Sequence, residues 1–103
     1  MVWVVACRAD DVLPDDVRRF DHAGRTFAIY RLADDTFHAS DGHCTHEDAH
    51  LAEGFVFDGI IECPKHNGRF DIRSGRAKGA PVCVDLGVYP VKVEDGNVML
   101  DIG

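Results

Sequence analysis

The sequence predicts an all-β fold of short antiparallel strands closed into a sandwich or barrel, and three observations carry that prediction. Two-residue turn signals recur between apolar runs, at Ala23-Gly24, Asp58-Gly59 and Asp95-Gly96, and such pairs supply the positive φ angles that tight hairpins need. Toward the end of the chain, Tyr89, Val91 and Val93 alternate with Lys92 and Glu94, and Val98, Leu100 and Ile102 alternate with Asn97 and Asp101. That two-residue period belongs to a strand with one wet face. No long window carries an apolar stripe at helical spacing.

Each element follows from local chemistry. Val2 to Ala6 is a first strand, ended by the acidic and proline-bearing run from Asp10 to Asp16. Val17 to Asp21 and Thr26 to Leu32 form a hairpin around Ala23-Gly24, and Thr36 to Ala39 follows a turn at Asp34-Asp35. Val56-Phe57 and Ile60-Ile61 flank Asp58-Gly59, and Val88 to Glu94 pairs with Asn97 to Ile102 across Asp95-Gly96. Half-apolar strands must close on one another to bury their faces.

With 103 residues the chain is predicted to be one domain, 1–103. Eighteen acidic against eleven basic residues give a net charge of −7, which argues against nucleic acid or a membrane surface as partner. An apolar share of 46 % excludes a disordered tail. The N-terminus lacks the basic start and apolar stretch of a signal peptide, and no run has the length of a membrane span. A cytoplasmic location is therefore expected, where thiols stay reduced and the four cysteines are metal ligands or bystanders rather than disulfides. The acidic balance fits either electrostatic steering toward a partner or simple solubility.

Two polar, Gly-punctuated stretches interrupt the strands. The first holds Cys44-Thr45-His46 and the second Cys63-Pro64-Lys65-His66, with sixteen residues and the Asp58-Gly59 turn between His46 and Cys63. That hairpin would bring the two arms side by side, each offering one thiolate and one imidazole. A structural zinc site usually groups cysteines in one arm and histidines in the other. Mixed arms instead suit a two-iron core, with both cysteines on one iron and both histidines on the other. A zinc site, or scattered residues with no metal, remains the alternative reading of these residues. His22, His38, His43 and His50 are read as surface residues or neighbours of the ligands, and Cys7 and Cys83 as small buried hydrophobes.

The pattern C-x-H, sixteen residues, C-x-x-H resembles the Rieske iron–sulfur signature. Similarity continues through Cys63 to Asp71, Arg73-Ser74-Gly75, the Pro81 segment and Tyr89-Pro90-Val91-Lys92-Val93-Glu94. The resemblance implies stacked antiparallel sheets with a small cluster-binding subdomain, about 41–81, formed by two loops. It also implies one [2Fe–2S] cluster, with Cys44 and Cys63 on the inner iron and His46 and His66 on the outer, exposed one.

Further implications separate the branches of that family. High-potential members carry a disulfide whose cysteines would fall at Ala49 and Lys65, and donate hydroxyls where this chain has Gly68 and Phe70. A potential at the lower end of the Rieske range is therefore expected. Rieske oxygenases need a second, mononuclear iron domain, for which this chain has no room. What the resemblance implies is a monomeric one-electron carrier, not catalytic alone. It would pass electrons from a flavin-containing NAD(P)H ferredoxin reductase to the terminal oxygenase of an aromatic-ring-hydroxylating dioxygenase system. Lys65, Arg69, Arg73, Arg76 and Lys78 would give its docking rim a mixed sign. The alternative within the family is the small Rieske-like subunit of an NADH-dependent nitrite reductase. Outside it stands a zinc-stabilised interaction module.

Overall fold

A computed structural model of the chain describes residues 1–46, 48–65, 67–79 and 84–103. Its strands are β1 (Trp3–Arg8), β2 (Asp16–His22), β3 (Arg25–Arg31), β4 (Phe37–Asp41), β5 (Phe55–Phe57), β6 (Ile60–Glu62), β7 (Arg69–Asp71), β8 (Val88–Tyr89), β9 (Val91–Glu94) and β10 (Asn97–Asp101). Short 3-10 turns at Ala9–Asp11 and Leu51–Glu53 are the helical elements among the described residues, and no helix there is long and apolar enough to cross a membrane. All strand pairing is antiparallel, in sheets ordered β1-β10-β9, β2-β3-β4-β8 and β5-β6-β7.

The three turn signals fold as the residue types dictate. Ala23 and Gly24 have φ of 51° and 78°, Asp58 and Gly59 of 51° and 74°, and Asp95 and Gly96 of 53° and 77°. Positive φ at both central positions matches the twist of the flanking strands and fixes their register.

β3 is the wall on which the other two sheets stack. Phe27, Ala28, Ile29 and Tyr30 are all buried, so this strand shows no wet face and no alternation. Phe27 and Ile29 pack with Val12, Ala39, Val98 and Leu100 under the β1-β10-β9 sheet. Ala28 and Tyr30 pack on the opposite side with Leu51, Ile61, Cys63, Phe70 and Ile72, beneath the β5-β6-β7 sheet. Tyr30 keeps its hydroxyl satisfied by bonding Ser40 Oγ at 2.8 Å, and Ser40 donates to the Asp41 carbonyl at 2.9 Å. A polar group is tolerated in a dry core on those terms. Burial pushes the Tyr30 phenol far above its ordinary value, so it stays neutral.

Three details depart from the sequence reading. The run from Val88 to Glu94 is two strands: β8 pairs with β4, whereas β9 pairs with β10 in a different sheet. Pro90 lies at the crossing, where a missing N–H ends one ladder. Val93 faces the same side as Val98 yet is exposed, because β9 is an edge strand and cover runs out at its end. Cys7 is half-buried rather than fully buried, packed against the core under β1, and burial raises its thiol pKa. Cys83 and Pro81 lie outside the described residues.

Phe27 carries the contacts of both its core and its neighbours, stacking on Phe20 at 5.9 Å and meeting Tyr89 edge-on at 5.2 Å. Phe27→Ala should lower the unfolding free energy by about 3–5 kcal/mol, read from urea denaturation. Val93→Ala, on the exposed edge, should change it by less than about 0.5 kcal/mol.

Candidate metal centre

The first arm is a narrow ladder that grows out of β4. Leu51 N–H donates to the Gly42 carbonyl at 2.7 Å, His43 bridges His50, and Cys44 N–H donates to the Ala49 carbonyl at 3.0 Å. Thr45, His46 and Asp48 lie beyond that rung, toward its tip. Gly42 sits where the backbone of β3 and the His50 ring converge, and a Cβ there would drive into the His50 imidazole. The second arm joins β6 to β7 and closes the same way: Cys63 N–H donates to the Gly68 carbonyl at 2.6 Å. Asn67, near its end, takes a positive φ of 57°.

Both arms thus anchor their cysteine at the base of a loop closed by a bond to the residue five positions on. Cys44 and Cys63 are buried in one core cluster with Ala49, Leu51, Ile61 and Phe70. His46, two residues past Cys44, is exposed. His66 lies outside the described residues. Among the described residues no three His, Cys, Asp or Glu side chains converge as a ready metal site.

The two arms face each other, since Lys65 Nζ donates to the Asp48 carbonyl at 3.0 Å. A third segment closes the edge, where Thr45 Oγ1 donates to the Val84 carbonyl at 2.6 Å. Thr45 therefore commits its hydroxyl proton to backbone and has none for a cluster sulfur. Leu86 N–H reaches the Gly75 carbonyl at 2.7 Å, and Gly75 holds a φ of 77° where an added Cβ would strike the Leu86 backbone.

Two soft thiols in a dry core and one borderline imidazole at the rim are the donor set of a mixed thiolate–imidazole iron–sulfur site. The described residues therefore fit the cofactor that the sequence implies. Basic residues around the second arm are partly matched: Arg69 pairs with Glu62 at 2.8 Å and Arg73 with Asp34 at 2.6 Å. These exposed pairs add little stability, but they leave the rim less positive than its sequence suggests.

His50 is a residue whose role the sequence concealed. It is 5 % exposed, and its Nδ1 accepts from Ala52 N–H at 3.0 Å. A neutral ring then carries its proton on Nε2, which lies 2.9 Å from Thr26 Oγ1, and Thr26 donates onward to Asp21 at 2.5 Å. This chain bolts the cysteine ladder to the β2–β3 hairpin. Thr26 and Asp21 lie 24 and 29 residues away from His50 in sequence, so no local pattern announces this link. His43 is exposed and lies edge-on to His50 at 5.8 Å, His22 stacks on Phe20, and His38 bonds Thr36.

Comparison with known proteins places these features in context. The Rieske [2Fe-2S] domain model matches residues 2–90. The ferredoxin component of the naphthalene 1,2-dioxygenase system of Pseudomonas putida is 38 % identical over 100 residues, 97 % of this chain and 95 % of that protein. Among solved structures, the ferredoxin of Sphingomonas yanoikuyae B1 superposes with a TM-score of 0.92 at 33 % identity, covering 99 % of this chain and 100 % of that one. A chain from the complex of reduced oxygenase and oxidized ferredoxin in carbazole 1,9a-dioxygenase gives 0.90 at 37 % identity, over 95 % of this chain and 100 % of its own.

Acid should loosen the cysteine ladder through His50. Burial lowers its pKa first, and Arg19 and His43 lower it further, against weaker opposition from Asp21 and Glu53. The unfolded chain thus takes up this proton at higher pH than the folded one. The stabilising contribution is complete above the ordinary value of about 6.5 and is lost as pH falls through the lower folded value. Urea midpoints measured from pH 7.5 down to 5 should fall more steeply for the wild type than for His50→Gln. Parallel curves would remove His50 from this role.

Proposed function

The chain belongs to the Rieske [2Fe-2S] domain family, and from that membership we propose that Cys44, His46, Cys63 and His66 hold its one [2Fe–2S] cluster. The protein is a one-electron carrier, the ferredoxin component of an aromatic-ring-hydroxylating dioxygenase system. The observation that carries this reading is the pair of matching arms, each sinking a cysteine into the core from a loop closed on itself.

When bound, the cluster supplies reversible one-electron chemistry. Everything else is done by the chain. Cys44 and Cys63 present thiolates from the dry side, shielded from water and from oxidants. Two thiolates against a +2 core leave the oxidised site neutral, where four would leave it at −2, so an added electron meets less repulsion. His46 lies at the exposed side of the site, and its imidazole edge is the short path between the core and a docked partner. No bond is made or broken in a substrate, so the protein is no catalyst on its own.

Electrons enter from a flavin-containing NAD(P)H ferredoxin reductase and leave to a terminal oxygenase. The likeness to a chain in the oxygenase–ferredoxin complex of carbazole 1,9a-dioxygenase supports the second half of that path. The carrier works as a monomer in the cytoplasm, docking transiently, and the net charge of −7 speeds encounter while docking stays weak.

Hydroxyl donors to cluster sulfurs would stabilise the reduced state. Gly68 and Phe70 carry none, and Thr45 spends its proton on Val84. Redox titration should therefore give a midpoint near the low end of the Rieske range, about −150 mV; a value well above zero would contradict this. The function itself is tested by reconstitution with reductases and terminal oxygenases of aromatic dioxygenase systems stripped of their own ferredoxin. Substrate-dependent NAD(P)H consumption should require this protein. Failure to accept electrons from any such reductase, together with copurification on a sirohaem subunit, would overturn the assignment.

A further inference from the structure

The bonds from Cys44 to Ala49 and from Cys63 to Gly68 each fix the shape of one arm. Neither fixes the distance between the arms, and a rigid two-iron core demands a fixed distance between its ligands. Lys65 supplies a constraint of that second kind. It stands in the second arm, next to His66, and its Nζ crosses to the Asp48 carbonyl in the tip of the first arm at 3.0 Å. Asp48 immediately precedes Ala49, whose own carbonyl is occupied by Cys44 N–H. The Lys65 side chain thus spans the gap between the arms toward the tip of the first one.

The bond also differs from those of its basic neighbours along the second arm and β7. Arg69 and Arg73 both rest on carboxylates, whereas the Lys65 bond is to a neutral backbone carbonyl. A carbonyl carries no formal charge, so this contact does not itself neutralise the ammonium. A charge-assisted bond to a carbonyl is stronger than a neutral one and holds the lysine stem in one geometry.

We propose that Lys65 is a positioning residue, a latch that holds the two arms at the separation the cluster needs and keeps a positive charge beside it. It acts through His66 and the tip of the first arm rather than by ligating iron. Reduction adds a negative charge to the site, and a nearby ammonium stabilises that state. Lys65 therefore contributes both to cluster retention and to the midpoint potential.

The inference rests on the ligand set proposed above, and three variants of the full-length, cluster-loaded protein test it. Lys65→Met removes donor and charge, Lys65→Gln keeps a donor without charge, and Lys65→Arg keeps both. Cluster loss is followed by visible absorbance in the presence of an iron chelator, and the midpoint by redox titration. Lys65→Met should lose its cluster roughly three- to tenfold faster than wild type and show a lower midpoint. Lys65→Gln should recover part of the lifetime but keep the lowered midpoint, and Lys65→Arg should restore both. Wild-type lifetime and midpoint in Lys65→Met would overturn the latch. Absence of iron–sulfur absorption in the wild type would instead overturn the ligand assignment beneath it.

Discussion

Two backbone hydrogen bonds set the conditions for everything else in this molecule. Cys44 N–H to the Ala49 carbonyl and Cys63 N–H to the Gly68 carbonyl turn two short polar stretches into loops that point their thiols inward. A thiol at the base of such a loop joins the core as a small apolar group, while Thr45, His46, Asp48, Pro64 and Lys65 beyond it are exposed. The same closure therefore separates a dry inner half of the site from a wet outer half. Electron transfer needs both: an inner half that keeps the cofactor from solvent, and an outer half that lets a partner approach.

The fold exists to hold those loops still. β3, buried on both faces, is shared by two cores, and the one beneath the arms is continuous with the cysteines themselves. His50 ties the first arm to the β2–β3 turn through Thr26 and Asp21. Arg73 ties the segment after β7 to Asp34 in the β3–β4 turn. A short β5–β6 hairpin between the arms returns the chain to the same side of the molecule.

Much of this was legible in the residues, and what was not has physical reasons. The turn pairs were readable because positive φ selects Gly, Asp and small residues locally. That the two Cys- and His-bearing arms lie side by side was readable from the hairpin turn between them, and the bond from Lys65 to Asp48 bears it out. The double burial of β3 was not, since four consecutive buried residues erase the period that marks a strand's faces. Pro90 marked a break, but which sheet each half joins depends on partners far away in the chain. His50 looked like one more loop histidine until Ala52, Thr26 and Asp21 were placed around it. The apparent basic rim likewise lost force once Glu62 and Asp34 met Arg69 and Arg73.

The proposed function turns on the two arms dividing their ligands by type across two irons. Mössbauer spectroscopy of protein grown on iron-57, with iron and acid-labile sulfide counted in the same sample, tests it most directly. Two irons and two sulfides per chain are expected, with two iron environments in equal amount, one bound by thiolate and one by imidazole. A single iron environment, or stoichiometric zinc without sulfide, would contradict it.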